Sequence, residues 1–137
     1  GLIERFAGDA IMAVFNALDD QPDHALRGAR AALAMQEHTR RIAAEHPHWP
    51  RFRIGLNSGL AVIGNVGATG QRSFAAVGDT TNVAARVQAT AEPGQVLLAA
   101  TTYSRIRDLA SIEPLGAASL KGRAQAIDLY ELRAILP

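Results

Sequence analysis

The chain has 137 residues, 48% of them hydrophobic and 20% charged, a balance that suits one globular domain with its own core and excludes a largely disordered chain. Its 14 Lys and Arg stand against 13 Asp and Glu for a formal charge of +1, and the basic residues are scattered, so no nucleic-acid partner is expected. Cysteine is absent, which excludes a disulfide framework, a thiolate nucleophile and a Cys-based zinc site. No apolar run approaches the roughly 20 residues that cross a bilayer and no signal peptide opens the chain, so the expectation is a cytoplasmic module without membrane contact of its own.

Gly1 leads directly into Leu2, Ile3 and Phe6, a strand pattern. The expectation is a single domain over residues 1–137 whose beginning lies within a larger fold. Gly8-Asp9 separates that run from Ala10 to Phe15 and reads as a hairpin turn. The second strand is apolar on both faces, so it is expected in the middle of a sheet with Asp9 at the rim. Asp19, Asp20 and Pro22 start a helix that carries Ala25, Ala29, Ala32, Leu33 and Gln36 on one stripe and runs to Pro47. His24, His38, His46 and His48 match no zinc spacing and receive no role.

Phe52, Ile54 and Leu56 alternate with Arg51, Arg53 and Gly55, the pattern of a half-buried strand, and Ser58-Gly59 turns the chain into Leu60 to Val66. Gly64, Gly67 and Gly70 fit neither the dinucleotide fingerprint nor a phosphate-binding loop, so they read as a flexible hairpin connection. Ser73 to Val77 is a short strand, Gly78-Asp79 breaks it, and a helix follows to about Ala91 with Asp79 as its cap. Asn82 and Arg86 are four apart on that helix and stack on one face. An Arg supplies a fixed fork for phosphate oxygens and an Asn one turn earlier can hold a ribose oxygen, although the spacing alone also fits an ordinary polar helix face. Glu92-Pro93-Gly94 ends the helix, Gln95 to Ala99 is a strand, Thr101 or Thr102 caps a short helix to about Asp108, and Ala126 to Leu132 is a final strand.

The stretch G-D-T-T-N-V-A-A-R around Asn82 and Arg86 resembles the G-(D/N)-T-V-N-x-A-(A/S)-R segment of the class III nucleotide cyclases, which convert ATP or GTP to the cyclic 3',5'-monophosphate and pyrophosphate. R-F-A-G-D-A-I-M-A-V-F, R-I-G-L-N-S-G-L-A-V-I-G-N-V-G, P-G-Q-V-L-L-A-A-T-T-Y and the Leu120-Lys121-Gly122 turn are similar to further segments of that family, the first two to hairpins, in its order and over nearly the whole chain. The resemblance implies an α+β fold, a ferredoxin-like βαββαβ-type sheet with helices on one face. It implies a head-to-tail homodimer with composite sites, and a regulatory domain upstream, as in cAMP signal transduction.

In that family the Asp of the G-D hairpin, here Asp9, is one of two carboxylates holding two Mg2+ or Mn2+ ions. The Asn orients the ribose and the Arg meets the α-phosphoryl charge, which puts Asn82 and Arg86 in catalytic roles. Arg72 and Lys121 correspond to cationic residues near the polyphosphate, though a lone Lys before a Gly turn is ordinarily just solvated. The base-selecting positions fall on Arg5 and Ala75. Arg5 stands where the family has Lys and keeps the charge with a longer planar head, while Ala75 can make no side-chain hydrogen bond to a purine edge. ATP is therefore favoured over GTP but with relaxed selection. The strand bearing the other metal carboxylate is expected to be missing, together with the first helices, leaving this chain by itself nearly inactive. The other reading is a non-catalytic dimerising or nucleotide-sensing module with a drifted base pocket.

Overall fold

A computed structural model describes residues 1–7, 9–17, 19–66, 73–119 and 125–137. In chain order these form β1 (Leu2–Ala7), β2 (Ala10–Val14), α1 (His24–Glu45), β3 (Ile54–Leu56), β4 (Val62–Val66), β5 (Ser73–Val77), α2 (Asp79–Thr90), β6 (Val96–Ala99), α3 (Ala100–Ile106), β7 (Ala110–Ala118) and β8 (Ile127–Ile135). Four apolar residues in a row make β6 unsuited to any half-exposed position. All four are buried, Val96 and Leu98 in one cluster with Ala25, Ala29 and Ala32 of α1 and Ile106 of α3, Leu97 and Ala99 in another with Val83 and Val87 of α2.

The strand thus lies at the centre of a four-stranded sheet ordered β3-β6-β8-β7. β3 runs parallel to β6, and β8 is antiparallel to both β6 and β7. The α+β class implied by the sequence is borne out. α1 and α3 pack on one face of this sheet and α2 on the other, because alternate β6 side chains point to opposite sides, so the helices do not share one face as the resemblance implied.

α1 keeps the expected stripe: Ala25, Ala29, Ala32 and Gln36 are buried, and Gly28 with them. Gln36 is the one buried polar residue of that stripe, and its amide donates to the Phe52 carbonyl at 2.9 Å and the Gln95 carbonyl at 3.0 Å, tying helix to sheet.

Three expectations need correction. β2 was expected in mid-sheet, but it pairs only with β1 and leaves Ile11 42% exposed, since no described strand lies along its other edge. Ser58-Gly59 does turn the chain, but not into a hairpin: β3 pairs with β6 while β4 pairs with β5. β4 and β5 pair antiparallel on either side of the expected Gly64 to Gly70 connection, of which residues 67–70 lie outside the described residues. Finally, the helix caps fall elsewhere, on Gly78 for α2 and Ala99 for α3, so Asp79 sits inside the first turn of α2. Its charge there complements the positive helix end.

The nine-residue β7 escaped the sequence reading altogether. Pro114 and Gly116 interrupt its pattern, its register to β8 shifts beside both, and an edge strand is where such residues are tolerated.

Candidate active site

Helix α2 presents the candidate residues, and its position is fixed from three directions. Beneath it, Gly55 of β3 lies so close that a Cβ would stand 2.8 Å from the Ala84 carbonyl oxygen and collide with the Gln88 backbone nitrogen. Only glycine permits that approach. At its N-terminus, Asn57 donates its carboxamide to the Thr80 carbonyl at 3.0 Å and accepts from the Thr101 hydroxyl at 3.0 Å. Thr80 in turn donates its hydroxyl to the Leu60 carbonyl at 2.5 Å. Along its inner side, Val83 and Val87 are buried against Leu97, Ala99 and Leu129.

The outer side is then forced outward. Asn82 is exposed and Arg86 half-buried, one turn apart as the sequence spacing required. Neither side chain has a hydrogen-bond or ion-pair partner among the described residues. A carboxamide and a guanidinium held on a rigid helix without internal partners are available to a ligand, the first for a neutral oxygen, the second for phosphoryl oxygens.

Asp9 occupies the two-residue turn between β1 and β2, with Ala7 and Ala10 paired across it. It is exposed. No hydrogen bond or ion pair joins it to Asn82 or Arg86 among the described residues, so this single chain places the carboxylate and the α2 pair on separate elements. The two hairpins are nonetheless neighbours, because β1 lies against β5, the strand that leads into α2.

Arg5 pairs through its backbone with Met12, next to a register shift in β1, and Ala75 pairs with Gly64. The side chains at both base-selecting positions lie outside the described residues, as do Arg72 and Lys121 entirely. Sequence reasoning overlooked Gly55 and Asn57. The available signal was a glycine in the middle of an apolar strand followed at once by an Asn-Ser-Gly turn.

Residues 5–134 match the adenylate and guanylate cyclase catalytic domain. The chain belongs to this family. It is 34% identical to adenylate cyclase 1 of Rhizobium meliloti over 99% of its own length and 21% of that protein's. To the adenylate cyclase of Anabaena cylindrica it is 33% identical, covering 98% of this chain and 28% of that one. It therefore spans about a quarter of these relatives. Among solved structures it superimposes on the adenylyl cyclase CyaB from P. aeruginosa with a TM-score of 0.87 and 26% identity, over 100% of this chain and 75% of that chain. The guanylate cyclase domain of RhGC from Catenaria anguillulae, solved with GTP, gives 0.83 and 28% identity over 98% of this chain and 73% of that one. Cyclase domains with either base therefore share this fold, and the fold by itself does not choose the purine.

Proposed function

We propose that the protein converts a nucleoside triphosphate, ATP ahead of GTP, to its cyclic 3',5'-monophosphate and pyrophosphate at a site shared between two copies of the domain. The observation that carries this reading is the unpartnered Asn82 and Arg86 pair on a helix fixed by Gly55 and Asn57. Asn82 orients the ribose so that its 3'-oxygen faces the α-phosphorus. Arg86 lies where charge grows on the α-phosphoryl group, and a preorganised guanidinium needs no reorganisation at that moment. Arg5, cationic like the Lys it replaces, and the adenylate cyclase relatives favour ATP.

A two-fold pairing is supported by surface chemistry. Leu60 is 95% exposed and Val62 72%, beside the turn that pins the start of α2, and large apolar side chains left bare in this way suit a partner surface. In the head-to-tail arrangement Asp9 comes from one copy and Asn82 and Arg86 from the other.

Asp9, an exposed carboxylate, is a hard oxygen donor of the kind that holds Mg2+ or Mn2+ jointly with substrate phosphates and water. Bound there, such ions would lower the pKa of the ribose 3'-hydroxyl and neutralise the leaving pyrophosphate. Among the described residues no group of three or more His, Asp or Glu side chains converges on a common point. A strand bearing a second carboxylate would fit the sheet edges that the described strands leave open: among them β2 pairs with β1 alone and β3 with β6 alone, and the Phe15 and Leu56 side chains that follow or end them both pack around Gly28 of α1. A strand laid between these edges would give Ala10–Val14 the double-sided burial its composition suits.

The test is direct. The full-length protein, given Mg2+ or Mn2+ and either ATP or GTP, is expected to release pyrophosphate and the cyclic nucleotide, faster from ATP. Absence of product from both would overturn the reading and leave a dimerising or nucleotide-sensing module.

A further inference from the structure

On the α1 side of the sheet, away from Asn82 and Arg86, a groove of about 520 Å³ opens between α1, the Gly94–Val96 segment and β8. Arg30, Arg40, Arg51 and Arg133 line it together with Glu37 and Glu131, an excess of two positive charges. The two carboxylates are committed. Glu37 pairs with Arg40 at 2.8 Å and Arg41 at 3.3 Å, while Glu131 pairs with Arg133 at 3.2 Å, which also reaches Glu113. Arg51 is left without a hydrogen-bond or ion-pair partner among the described residues, while Arg30 makes no hydrogen bond there and its charge acts at longer range on Asp23.

Arg51 is the more telling of the two. Its Nε is buried and has no hydrogen-bond partner among the described residues, so no carbonyl or carboxylate there offsets the charge of this guanidinium. Its guanidinium lies over Gly94, where a Cβ would stand 3.1 Å from Cζ and where φ is +87°. The seat beneath it is rigid: the Gly94 amide donates to the Phe52 carbonyl at 2.7 Å, Gln36 bridges Phe52 and Gln95, and the Gln95 amide donates to the Glu131 carboxylate at 2.9 Å.

We infer that this groove binds a phosphoryl dianion, held by Arg51 and Arg30. The groove's excess of two positive charges matches one phosphoryl dianion, and a guanidinium suits its oxygens, whereas a single carboxylate would leave one charge over. Among the described residues no aromatic ring lines the groove, so a nucleobase would find none of them to stack on and the ligand is read by its phosphoryl group. Leu33, Val96 and Leu132 offer an apolar floor to any short aliphatic body attached to it. The site stands whether or not the cyclase reading does.

The experiment titrates the full-length protein with inorganic phosphate and with glycerol phosphate at constant ionic strength, against chloride, following the melting temperature and the heat of binding. A saturable rise is expected. Arg51→Gln and Arg30→Gln should each weaken binding by about tenfold, the loss of one charge-assisted contact, while Arg86→Ala retains it. Arg30 is exposed on α1, so its variant keeps the comparison available if Arg51→Gln does not fold. Tighter binding of the monoester identifies an organic phosphate as the ligand, and equal or weaker binding identifies the free ion. No saturable rise above chloride, or a rise that Arg86→Ala abolishes and the two Gln variants keep, overturns the proposal.

Discussion

Asn57 and Thr80 are 23 positions apart in sequence and joined by a 3.0 Å hydrogen bond from the Asn57 carboxamide to the Thr80 carbonyl. The bond fastens the first turn of α2 to the end of β3, two residues before Asn82. Asn57→Ala removes it, while the exposed Thr101 hydroxyl can turn to water, so a loss of about 1 kcal/mol in denaturant unfolding is expected. If the loosened helix matters to chemistry, kcat should fall more than KM rises.

Gly55→Ala forces a methyl group into the α2 backbone, not into a side chain that could swing aside. Relief requires β3 and α2 to separate, at about 1–3 kcal/mol or more. The melting temperature should drop and cyclase activity should fall with it even at temperatures where the variant is folded. An unchanged melting temperature would mean that the close approach is not maintained in solution.

Asp9→Ala should abolish divalent-cation-dependent turnover of the full-length protein while leaving its unfolding transition in place, since the carboxylate stands on an exposed turn. Arg86→Ala should cost about 100-fold or more in kcat, the usual loss when one transition-state contact is removed.

Mixing those two inactive variants tests the shared site. Each heterodimer gathers both lesions in one site and none in the other, and random assembly makes half the dimers heterodimeric, so about a quarter of wild-type activity should return. Demonstrated subunit exchange with no recovered activity would refute the two-copy arrangement.

Glu37 supplies a pH test. The hydrogen bond from Arg40, with Arg41 behind it, lowers its carboxyl from the ordinary 4.5 to about 2. A depressed folded pKa means that the stabilisation is complete above about 4.5 and is lost as the pH falls towards about 2. The melting-temperature difference between wild type and Glu37→Gln should therefore be constant at neutral pH and vanish across that acid window. Both partners are exposed, so the difference should be small throughout.

Much of this was readable from residue order. The Ala25, Ala29, Ala32, Gln36 stripe announced α1 because helical periodicity and burial agree there, and the Asn82–Arg86 spacing placed both side chains on the outer face of α2. What resisted was pairing. The alternation in Phe52 to Leu56 says that a strand is half-buried, but not that its neighbour is β6, four elements later in the chain, and not β4. β7 was hidden because Pro114 and Gly116 suppress the local signal while the ladder to β8 supplies stability from outside the segment. The exposure of β2 could not be read at all, since composition records what a strand is suited to bury and not what lies beside it.

β6 lies between α1 and α2 and gives alternate side chains to each. Val96 and Leu97 share one peptide bond yet belong to opposite cores, so neither core can melt while the other persists. The arginine groove and the Asn82–Arg86 helix should accordingly lose their amide-exchange protection together, at a single opening free energy.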